Sequence, residues 1–316
     1  MTDKFSILIT GASGFLGRHI VPVLEKKYGD AEIIPLSSKD YDLTEQDQVR
    51  RMYRDHKPDR VIALAGYVGG IGANLAYPAD FFYRNLMIQT MTVHEGKLAG
   101  VKKMVTAIGG CSYPSSAASP ISEEQMWDGL PAFESTPYSV AKKMVIIQSE
   151  AYRRQYGFNS IVLIPGNVYG EYDNYELDNG HVIPATIRKF YEAKQENKAE
   201  VVMWGSGKPT RDFVYAADVA ELLPYFLEDY DNSEPINLST ARSTSIRQLA
   251  ELVKELTGYP GKIAWDRSKP DGKVLKIFAN QKMRSLGLDC PTSLRDGLKR
   301  TIDWFVSNYS SGMVRL

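Results

Sequence analysis

Short apolar runs alternate with segments of helical periodicity through the first half of the chain. Each run is rich in Ile, Val and Leu, and apolar residues in the segment that follows recur every three or four positions. Strands that alternate with helices in this way form a parallel sheet with helices on both faces. We therefore predict an α/β fold with a doubly wound parallel sheet and strands at residues 5–10, 32–36, 60–65, 103–108 and 160–165.

The rhythm changes after residue 165. A polar stretch at 171–180 precedes helical patterns near 181–196, 245–256 and 294–307, with a short strand pattern at 201–204. Residues 213–230 and 235–238 look like a helix and a strand that return to the main sheet. We therefore predict a dinucleotide-binding domain of residues 1–164 plus 213–239, and a smaller discontinuous α/β lobe for substrate of residues 165–212 plus 240–316.

The charge balance excludes several classes of partner. Lys+Arg and Asp+Glu each number 38, so neither a nucleic-acid-binding surface nor a charged tail is expected. The longest apolar stretch, 61–76, is interrupted by four glycines and is too short to span a membrane. With only two cysteines and no signal-peptide pattern, we expect a cytoplasmic protein in a reducing compartment, without disulfides or a cysteine-based metal site.

A glycine motif follows the first predicted strand directly. Its sequence is Gly11-Ala-Ser-Gly-Phe-Leu-Gly17, and a helical pattern begins within it. Strand, G-x-x-G-x-x-G and helix together predict a Rossmann dinucleotide site, in which glycines let the backbone approach the pyrophosphate at the helix N-terminus. The predicted cofactor contacts here are Gly11, Ser13, Gly14, Phe15, Leu16 and Gly17.

The end of the second predicted strand bears on the choice of cofactor. NAD enzymes usually place Asp or Glu beside the adenosine ribose, whereas Leu36 is followed here by two serines and Lys39. Without a carboxylate at these positions, Ser38 and Lys39 favour NADP(H), although a solvated Lys39 would leave NAD(H) open. The Asp42-Leu43 pair is predicted to cover the adenine.

Tyr138 and Lys142 form the principal candidate for chemistry. Pro137 suits the first turn of a helix and Thr136 is a candidate cap, so the two side chains leave one helix face one turn apart. A tyrosine phenol ordinarily titrates near pH ~10. We expect an adjacent ammonium to lower that pKa, which would let the phenol exchange a proton with a sugar oxygen.

Several further segments resemble the GDP-L-fucose synthase family, the epimerase–reductase branch of the extended short-chain dehydrogenases. The resemblance covers most of the chain. Its segments are Val68-Gly-Gly-Ile-Gly-Ala-Asn74, Tyr77-Pro-Ala-Asp-Phe81, Cys111-Ser-Tyr-Pro114, Pro137-Tyr-Ser-Val-Ala-Lys142, His181-Val-Ile-Pro-Ala185, Trp204-Gly-Ser-Gly207, Arg211-Asp-Phe213 and Lys269-Pro-Asp-Gly272.

The resemblance implies C3 and C5 epimerisation of a GDP-linked 4-keto-6-deoxy-hexose, followed by reduction of the C4 ketone with NADPH. It implies that Cys111 and His181 are the epimerisation acid/base pair and that Tyr138 and Lys142 serve the reduction. It further implies a homodimer joined by a four-helix bundle. The implied substrate contacts are Gly110, Asn167, Lys189, Trp204, Arg211 and Asp271, and the further cofactor contacts are Ala65, Lys142, Pro165, Asn167, Val168 and His181.

Five positions depart from the family pattern. Gly109 stands where most relatives have the Ser or Thr of a Ser–Tyr–Lys triad, and Gly110 replaces another serine. Arginines that many relatives use on the 2′-phosphate are Ser13 and Ser38 here, and a substrate-side arginine is Lys189. These departures leave open a relative that only epimerises or only reduces a different nucleotide-linked 4-keto sugar. A non-catalytic nucleotide sensor is a further alternative, although retention of the Tyr–Lys pair disfavours it.

Overall fold

The computed structural model describes residues 5–177, 180–269 and 271–316. The polar N-terminal tetrapeptide, residues 178–179 of the predicted loop and Pro270 of the predicted Lys-Pro-Asp-Gly turn lie outside the described residues.

The first half of the chain alternates strands and helices as its hydrophobic pattern predicts. The strands are β1 (Ser6–Thr10), β2 (Glu32–Leu36), β3 (Arg60–Ala63), β4 (Lys103–Ala107) and β5 (Asn159–Pro165). The helices are α1 (Phe15–Lys27), α2 (Gln46–His56), α3 (Ile71–Ala76), α4 (Pro78–Leu98) and α5 (Thr136–Tyr156). The predicted loop at residues 66–72 ends within the short helix α3, which the glycines of this segment concealed.

Shorter elements make up the second half. The strands are β6 (Asn167–Tyr169), β7 (Glu200–Trp204), β8 (Thr210–Arg211), β9 (Phe213–Tyr215), β10 (Ile236–Leu238), β11 (Thr244–Ser245), β12 (Lys262–Asp266) and β13 (Leu275–Lys276). The helices are α6 (Val182–Gln195), α7 (Ala216–Glu228), α8 (Ile246–Thr257), α9 (Gln281–Ser285) and α10 (Leu294–Asn308). Single turns of 3₁₀ helix lie at Gly110–Ser112, Glu123–Trp127 and Phe133–Ser135.

The main sheet has six parallel strands in the order β10-β5-β4-β3-β1-β2. From β1 the chain passes to β2 on one side and then to β3 on the other, so the strand order reverses beside β1. Ligands of doubly wound sheets bind in the crevice at such a point, outside the carboxyl ends of the strands. The predicted fold class is confirmed, and the glycine motif after β1 lies at this crevice.

Two apolar cores cover the two faces of the sheet. Ile7 and Ile9 of β1 pack with α1, α7 and α9 on one face, whereas Leu8 faces α2, α4 and α5 on the other. This alternation follows from the two-residue period of a strand. Because α4 and α5 pack together on one face, residues of α5 are held against the carboxyl ends of the central strands.

A third core lies outside the main sheet. It combines α6, α8 and α10 with strand β7, and its buried side chains include Phe190, Leu249 and Phe305. Strand β7 pairs with β12, while β8 lies between β11 and β13. The division into two lobes at the predicted boundaries stays a prediction. The third core therefore packs α6 with α8, α10 and β7 as a unit distinct from the two cores of the main sheet.

Candidate active site

The glycine motif forms a tight turn between β1 and α1. Gly11 has a φ of 71°, and a Cβ at this position would lie 2.9 Å from the backbone nitrogen of Ala65. A Cβ at Gly17 would lie 2.5 Å from Ala12 Cα. Helix α1 begins at Phe15, directly after Gly14. The turn therefore brings Ala65 beside the motif and directs a helix N-terminus at the crevice, a geometry that fits a dinucleotide pyrophosphate.

The adenosine end of this crevice contains a carboxylate that the sequence interpretation missed. Asp40 Oδ2 accepts hydrogen bonds from Ser37 N (2.7 Å) and Ser37 Oγ (2.8 Å), which lower the pKa of Asp40. The exposed turn of Ser38 and Lys39 is closed by this contact. The expectation concerned residues 36–39, which have no carboxylate; Asp40 adds one a single residue further along, where it accepts from Ser37.

The predicted adenine pair lies in the next turn. Asp42 Oδ1 accepts from Thr44 N (2.9 Å) and Thr44 Oγ1 (2.7 Å), and Leu43 is buried. The Asp42 carboxylate thus shapes the turn before α2. An adenine contact of this pair stays a prediction.

Tyr138 and Lys142 lie on the first two turns of α5. Pro137 occupies the first turn as predicted, but Thr136 is the first helical residue and does not cap the helix. Its Oγ1 instead donates to the carbonyls of Pro131 (3.1 Å) and Ala132 (2.9 Å). The hydroxyl therefore bonds to two carbonyls of the preceding loop and links that loop to the start of α5.

The pKa of Tyr138 shifts in the opposite direction to the one expected. Burial of the phenol raises its pKa, and a negative charge on Cys111 raises it further. Phe81 contributes to this burial, with its ring centroid 6.1 Å from that of Tyr138. Burial lowers the pKa of Lys142 to about 8. The structure therefore holds Tyr138 protonated, which is the state that a proton donor requires.

Gln89 of α4 holds the Lys142 ammonium and was not predicted. With the amide oxygen facing Lys142, Oε1 accepts from Nζ at 3.1 Å and Nε2 donates to the Ala141 and Lys142 carbonyls. Gln89 is buried, so this contact is shielded from water. Nothing in the sequence around Gln89 indicates this role, because the contact arises from the packing of α4 against α5.

Cys111 completes a cluster with the Tyr–Lys pair. It lies in the 3₁₀ turn after β4, is partly buried and is not in a disulfide. It is close enough to Tyr138 and Lys142 for a thiolate there to raise the pKa of both groups. A thiolate would act in the same way on Lys276 of β13, whose pKa is lowered mainly by burial. The structure thus brings three separate segments of the chain close together, and Lys276 is an addition to the predicted set.

Phe278 occupies the space that a side chain at Gly110 would need. A Cβ at Gly110 would collide with Phe278 Cζ, whereas a Cβ at Gly109 would lie 3.1 Å from Cys111 Sγ. The buried hydroxyls of Thr106 and Ser112 have no hydrogen-bond partner in the structure as described. The two glycines therefore differ: a side chain at Gly110 would meet the buried Phe278 ring, whereas a Cβ at Gly109 would make a tight contact that a small shift of the Cys111 side chain relieves.

His181 is the last residue before α6, and its imidazole is 75% exposed. Its Nδ1 lies 3.5 Å from Oδ1 of the buried Asp173. The Asp173 carboxylate raises the pKa of His181. No contact between His181 and Cys111 is present in this structure, so their assignment as a pair stays a prediction.

Two of the predicted substrate contacts, Trp204 and Lys189, lie beside each other. Trp204 is exposed, and its ring lies 5.6 Å from Lys189 Nζ and 5.5 Å from Lys269 Nζ. Arg211 Nη1 donates to the Lys273 carbonyl at 2.7 Å. An aromatic face flanked by ammonium groups suits a nucleobase and its phosphates.

Two of the implied substrate residues make internal contacts. Asp271 accepts from Ser206 N (2.8 Å) and Ser206 Oγ (2.6 Å), and this contact ties its loop to the turn after β7. Asn167 Nδ2 donates to the Asp212 carbonyl at 2.8 Å. Asp212 itself is buried and accepts from Ser239 and Thr240. Ligand contacts by Asp271 and Asn167 stay predictions, as do those of the neighbouring Pro165 and Val168.

The described residues were searched for a metal-binding group and for a membrane-spanning helix, and neither was found among them. No group of three or more His, Cys, Asp or Glu side chains is placed to hold a metal ion among residues 5–177, 180–269 and 271–316. Over the same ranges, no helix combines the length and apolar character needed to cross a membrane.

The parallel sheet, the glycine turn and the Tyr-x-x-x-Lys helix together define an extended short-chain dehydrogenase. A model of the NAD dependent epimerase/dehydratase family matches residues 7–239. GDP-L-fucose synthase 1 of Arabidopsis thaliana is 40% identical over 309 residues, which span 98% of this chain and 95% of the relative. The chain belongs to this family, in the branch that contains the GDP-L-fucose synthases.

Solved structures extend the likeness over the whole chain. A GDP-L-fucose synthetase from Naegleria fowleri bound to NADP matches with a TM-score of 0.90 at 29% identity, covering 100% of this chain and 98% of its own. A GDP-6-OMe-4-keto-L-xylo-heptose reductase from C. jejuni matches with a TM-score of 0.89 at 29% identity, covering 98% and 99%. Both matches include the third core as well as the main sheet.

Proposed function

We propose that the chain is an NADP(H)-dependent epimerase–reductase of a GDP-linked 4-keto-6-deoxy-hexose. The observation that carries the proposal is that the turn containing Cys111 packs against α5, the helix that carries Tyr138 and Lys142. Reduction needs a proton donor at the C4 oxygen, and epimerisation needs acid/base groups near C3 and C5. Tyr138, with Lys142, meets the first requirement and the thiol of Cys111 contributes to the second, so both reactions can take place on one sugar ring.

The epimerisation is a proton exchange at carbon. The C4 ketone acidifies the hydrogens at C3 and C5, so one group removes a proton to leave an enolate. A second group returns a proton to the opposite face of the same carbon. Cys111 and His181 are the proposed pair, since a thiol and an imidazole are both suited to acid/base exchange at carbon and neither side chain is fully buried.

The reduction uses the protonated phenol. Tyr138 donates its proton to the C4 oxygen, and Lys142 stabilises the phenolate that remains. When bound, NADPH supplies the hydride that C4 accepts. The residues proposed to hold the cofactor are those of the glycine turn, together with Ser38, Lys39, Ala65 and Lys142. The Naegleria relative, which was solved with NADP, supports this cofactor.

An enzyme that carries out only one of the two reactions is the second candidate. Gly109 lacks the hydroxyl that would bind the C4 oxygen, which favours epimerisation without reduction. Thr106 and Ser112 are the nearby hydroxyls without partners, and either one would restore a donor. A C4 reductase without epimerisation finds support in the reductase from C. jejuni. A nucleotide sensor has no such support from the site.

The test is incubation with GDP-4-keto-6-deoxy-mannose in D₂O, with and without NADPH. Deuterium in the sugar, followed by mass spectrometry, reports proton exchange, and loss of nicotinamide absorbance reports reduction. The proposal expects both signals. Deuterium uptake alone would establish the epimerase, and NADPH consumption alone would establish the reductase. The absence of both would exclude this substrate class.

We also propose a homodimer formed through α4 and α5. These helices pack together on one face of the sheet and leave apolar side chains exposed, among them Tyr83 (55%) and Ile147 (48%). Light scattering tests the proposal: the wild type should have twice the mass of one chain, and Ile147→Glu should reduce the mass to that of one chain.

We also propose a cytoplasmic location, which the two free cysteines support.

A further inference from the structure

Asp173 is a buried acid whose contacts are incompletely explained by the fold. Its side chain is 3% exposed. Oδ1 accepts a hydrogen bond from Asn174 N at 2.7 Å, but Oδ2 is buried without a hydrogen-bond partner in the described structure. An unpaired oxygen on a buried carboxylate is costly, about 1–3 kcal/mol or more for a charged group. Retention of an acid here therefore indicates a second role.

The nearest cationic partner of Asp173 is the imidazole of His181. Nδ1 of His181 lies 3.5 Å from Asp173 Oδ1 across the loop that joins β6 to α6. The carboxylate is buried while the imidazole is mostly exposed, so one edge of the ring is held by protein and the other faces outward. Such a contact orients a histidine and selects its tautomer.

Side chains from three elements contact the turn that precedes Asp173. His19 Nε2 lies 3.0 Å from the Glu171 carbonyl, and Tyr215 OH donates to Glu171 Oε1 at 2.7 Å. Tyr172, at a φ of 67°, packs its ring 4.9 Å from Trp304 of α10. A non-glycine residue with positive φ persists only where its surroundings fix it. Asp173 thus follows a turn whose backbone is fixed by α1, β9 and α10.

We propose that Asp173 is a positioning residue that orients His181 for proton exchange with the sugar. A carboxylate accepts hydrogen bonds only, so Nδ1 of His181 must carry a hydrogen to face it. Nε2 is then left to exchange protons: it holds a lone pair in the neutral ring and a hydrogen in the imidazolium. The inference rests on the proposed function, in which His181 is one member of the acid/base pair.

The proton balance of the step is simple. The imidazolium Nε2–H protonates the enolate carbon, the ring becomes neutral, and a proton from solvent restores the imidazolium. The Nδ1 hydrogen stays on the ring throughout. Asp173 stabilises the imidazolium and raises its pKa. The carboxylates of Asp173 and Glu171 also act on His19, whose pKa is lowered mainly by burial.

The experiment measures deuterium uptake from D₂O into GDP-4-keto-6-deoxy-mannose with NADP⁺ present, so that no hydride is available. Asp173→Asn should slow uptake roughly tenfold to a hundredfold, less than the ~10²–10⁴-fold contribution of a general acid–base group itself, because Asp173 acts only through His181. The alkaline limb of its pH profile, where the imidazolium is lost, should move to lower pH because the imidazolium loses its stabilising charge. NADPH affinity should stay unchanged.

Three variants make the result decisive. Asp303→Asn removes an exposed acid of α10 and should leave uptake unchanged. Asp173→Glu keeps the charge and should recover part of the rate, which also guards against a folding defect of Asp173→Asn. Normal uptake and an unmoved pH profile in folded Asp173→Asn, with His181→Asn inactive, would overturn the inference alone. Normal uptake in His181→Asn would instead overturn the proposed acid/base pair.

Discussion

The two halves of the crevice are built in different ways. The glycine turn at the proposed cofactor end is one continuous stretch, in which Gly11, Gly14 and Gly17 shape the backbone between β1 and α1. The side chains proposed for the sugar end come from distant segments: Cys111 follows β4, Tyr138 begins α5, His181 precedes α6, and Lys276 lies on β13. A backbone site depends on which residues are small, whereas a side-chain site depends on how elements pack.

This difference determines how each half tolerates change. At the glycine turn an added methyl group meets backbone, which cannot rotate away. At the sugar end an added group meets the side chain of Cys111 or Phe278. Substitutions in the first half should therefore reduce folding and cofactor binding together, and substitutions in the second half should alter one reaction at a time.

The largest expected effect is that of Gly17→Ala. The added Cβ would lie 2.5 Å from Ala12 Cα and O, and overpacking of this kind costs about 1–3 kcal/mol, with backbone clashes at the upper end. The urea midpoint should fall and NADPH binding should weaken. Gly29→Ala is the matched control, because a Cβ there meets nothing within 4 Å. Equal midpoints for the two variants would contradict the close approach.

Gly110→Ser and Gly109→Ser should separate packing from chemistry. Gly110→Ser would push against the buried Phe278 ring and should destabilise the fold by about 1–2 kcal/mol, less than Gly17→Ala because a side chain can shift.

Gly109→Ser adds a hydroxyl near the C4 oxygen and should speed hydride transfer in single-turnover experiments. Its Cβ lies 3.1 Å from Cys111 Sγ, so deuterium exchange should slow. An unchanged hydride rate would mean that Thr106, Ser112 or water already replaces the serine.

The pH dependence of reduction should follow Lys142. Burial lowers its pKa to about 8, so the ammonium is present below that pH and is lost as the pH rises through it. The value of kcat/KM for reduction should therefore fall above pH about 8, by about tenfold per unit. Lys142→Arg keeps its charge in this range and should flatten the profile, whatever its absolute rate. A wild-type profile that stays level well above pH 8 would show that the free ammonium is not required.

The smallest expected effect concerns cofactor choice. Ser38→Arg would place a guanidinium in the exposed turn closed by Asp40, where it can pair with a 2′-phosphate. An exposed ion pair contributes about 0.2–1 kcal/mol, so NADPH affinity should rise by no more than about fivefold while NADH affinity stays the same. Calorimetry with both cofactors measures the ratio. An equal gain for NADH would place Ser38 away from the 2′-position.

The glycine turn, whose residues are continuous in the chain, was also the part of the site that could be predicted from the sequence. The β1–glycine–α1 unit and the Tyr138–Lys142 pair could be predicted because each signal lies within a few neighbouring residues. Asp40 was missed by one position, because its contact with Ser37 depends on how the turn closes. The rise in the Tyr138 pKa was missed because burial depends on packing that no local pattern encodes.

The contacts that could not be predicted join distant elements. Gln89 reaches Lys142 only because α4 packs on α5, and Phe278 fills the space above Gly110 only because its segment returns to the sheet. Asp173 contacts His181 across a loop whose sequence has no regular pattern of apolar residues. The resemblance to the family identified His181 and Cys111 by their motifs, but it did not identify the side chains that hold them.

The central claim is that one sugar site carries two separable reactions. The most direct test compares Tyr138→Phe with Cys111→Ser on GDP-4-keto-6-deoxy-mannose in D₂O, with deuterium uptake and NADPH oxidation followed in the same sample. The account predicts that Tyr138→Phe loses roughly 10²–10⁴-fold in NADPH oxidation but still takes up deuterium. It predicts that Cys111→Ser loses deuterium uptake. Retained reduction in Tyr138→Phe, or unimpaired uptake in Cys111→Ser, would contradict it.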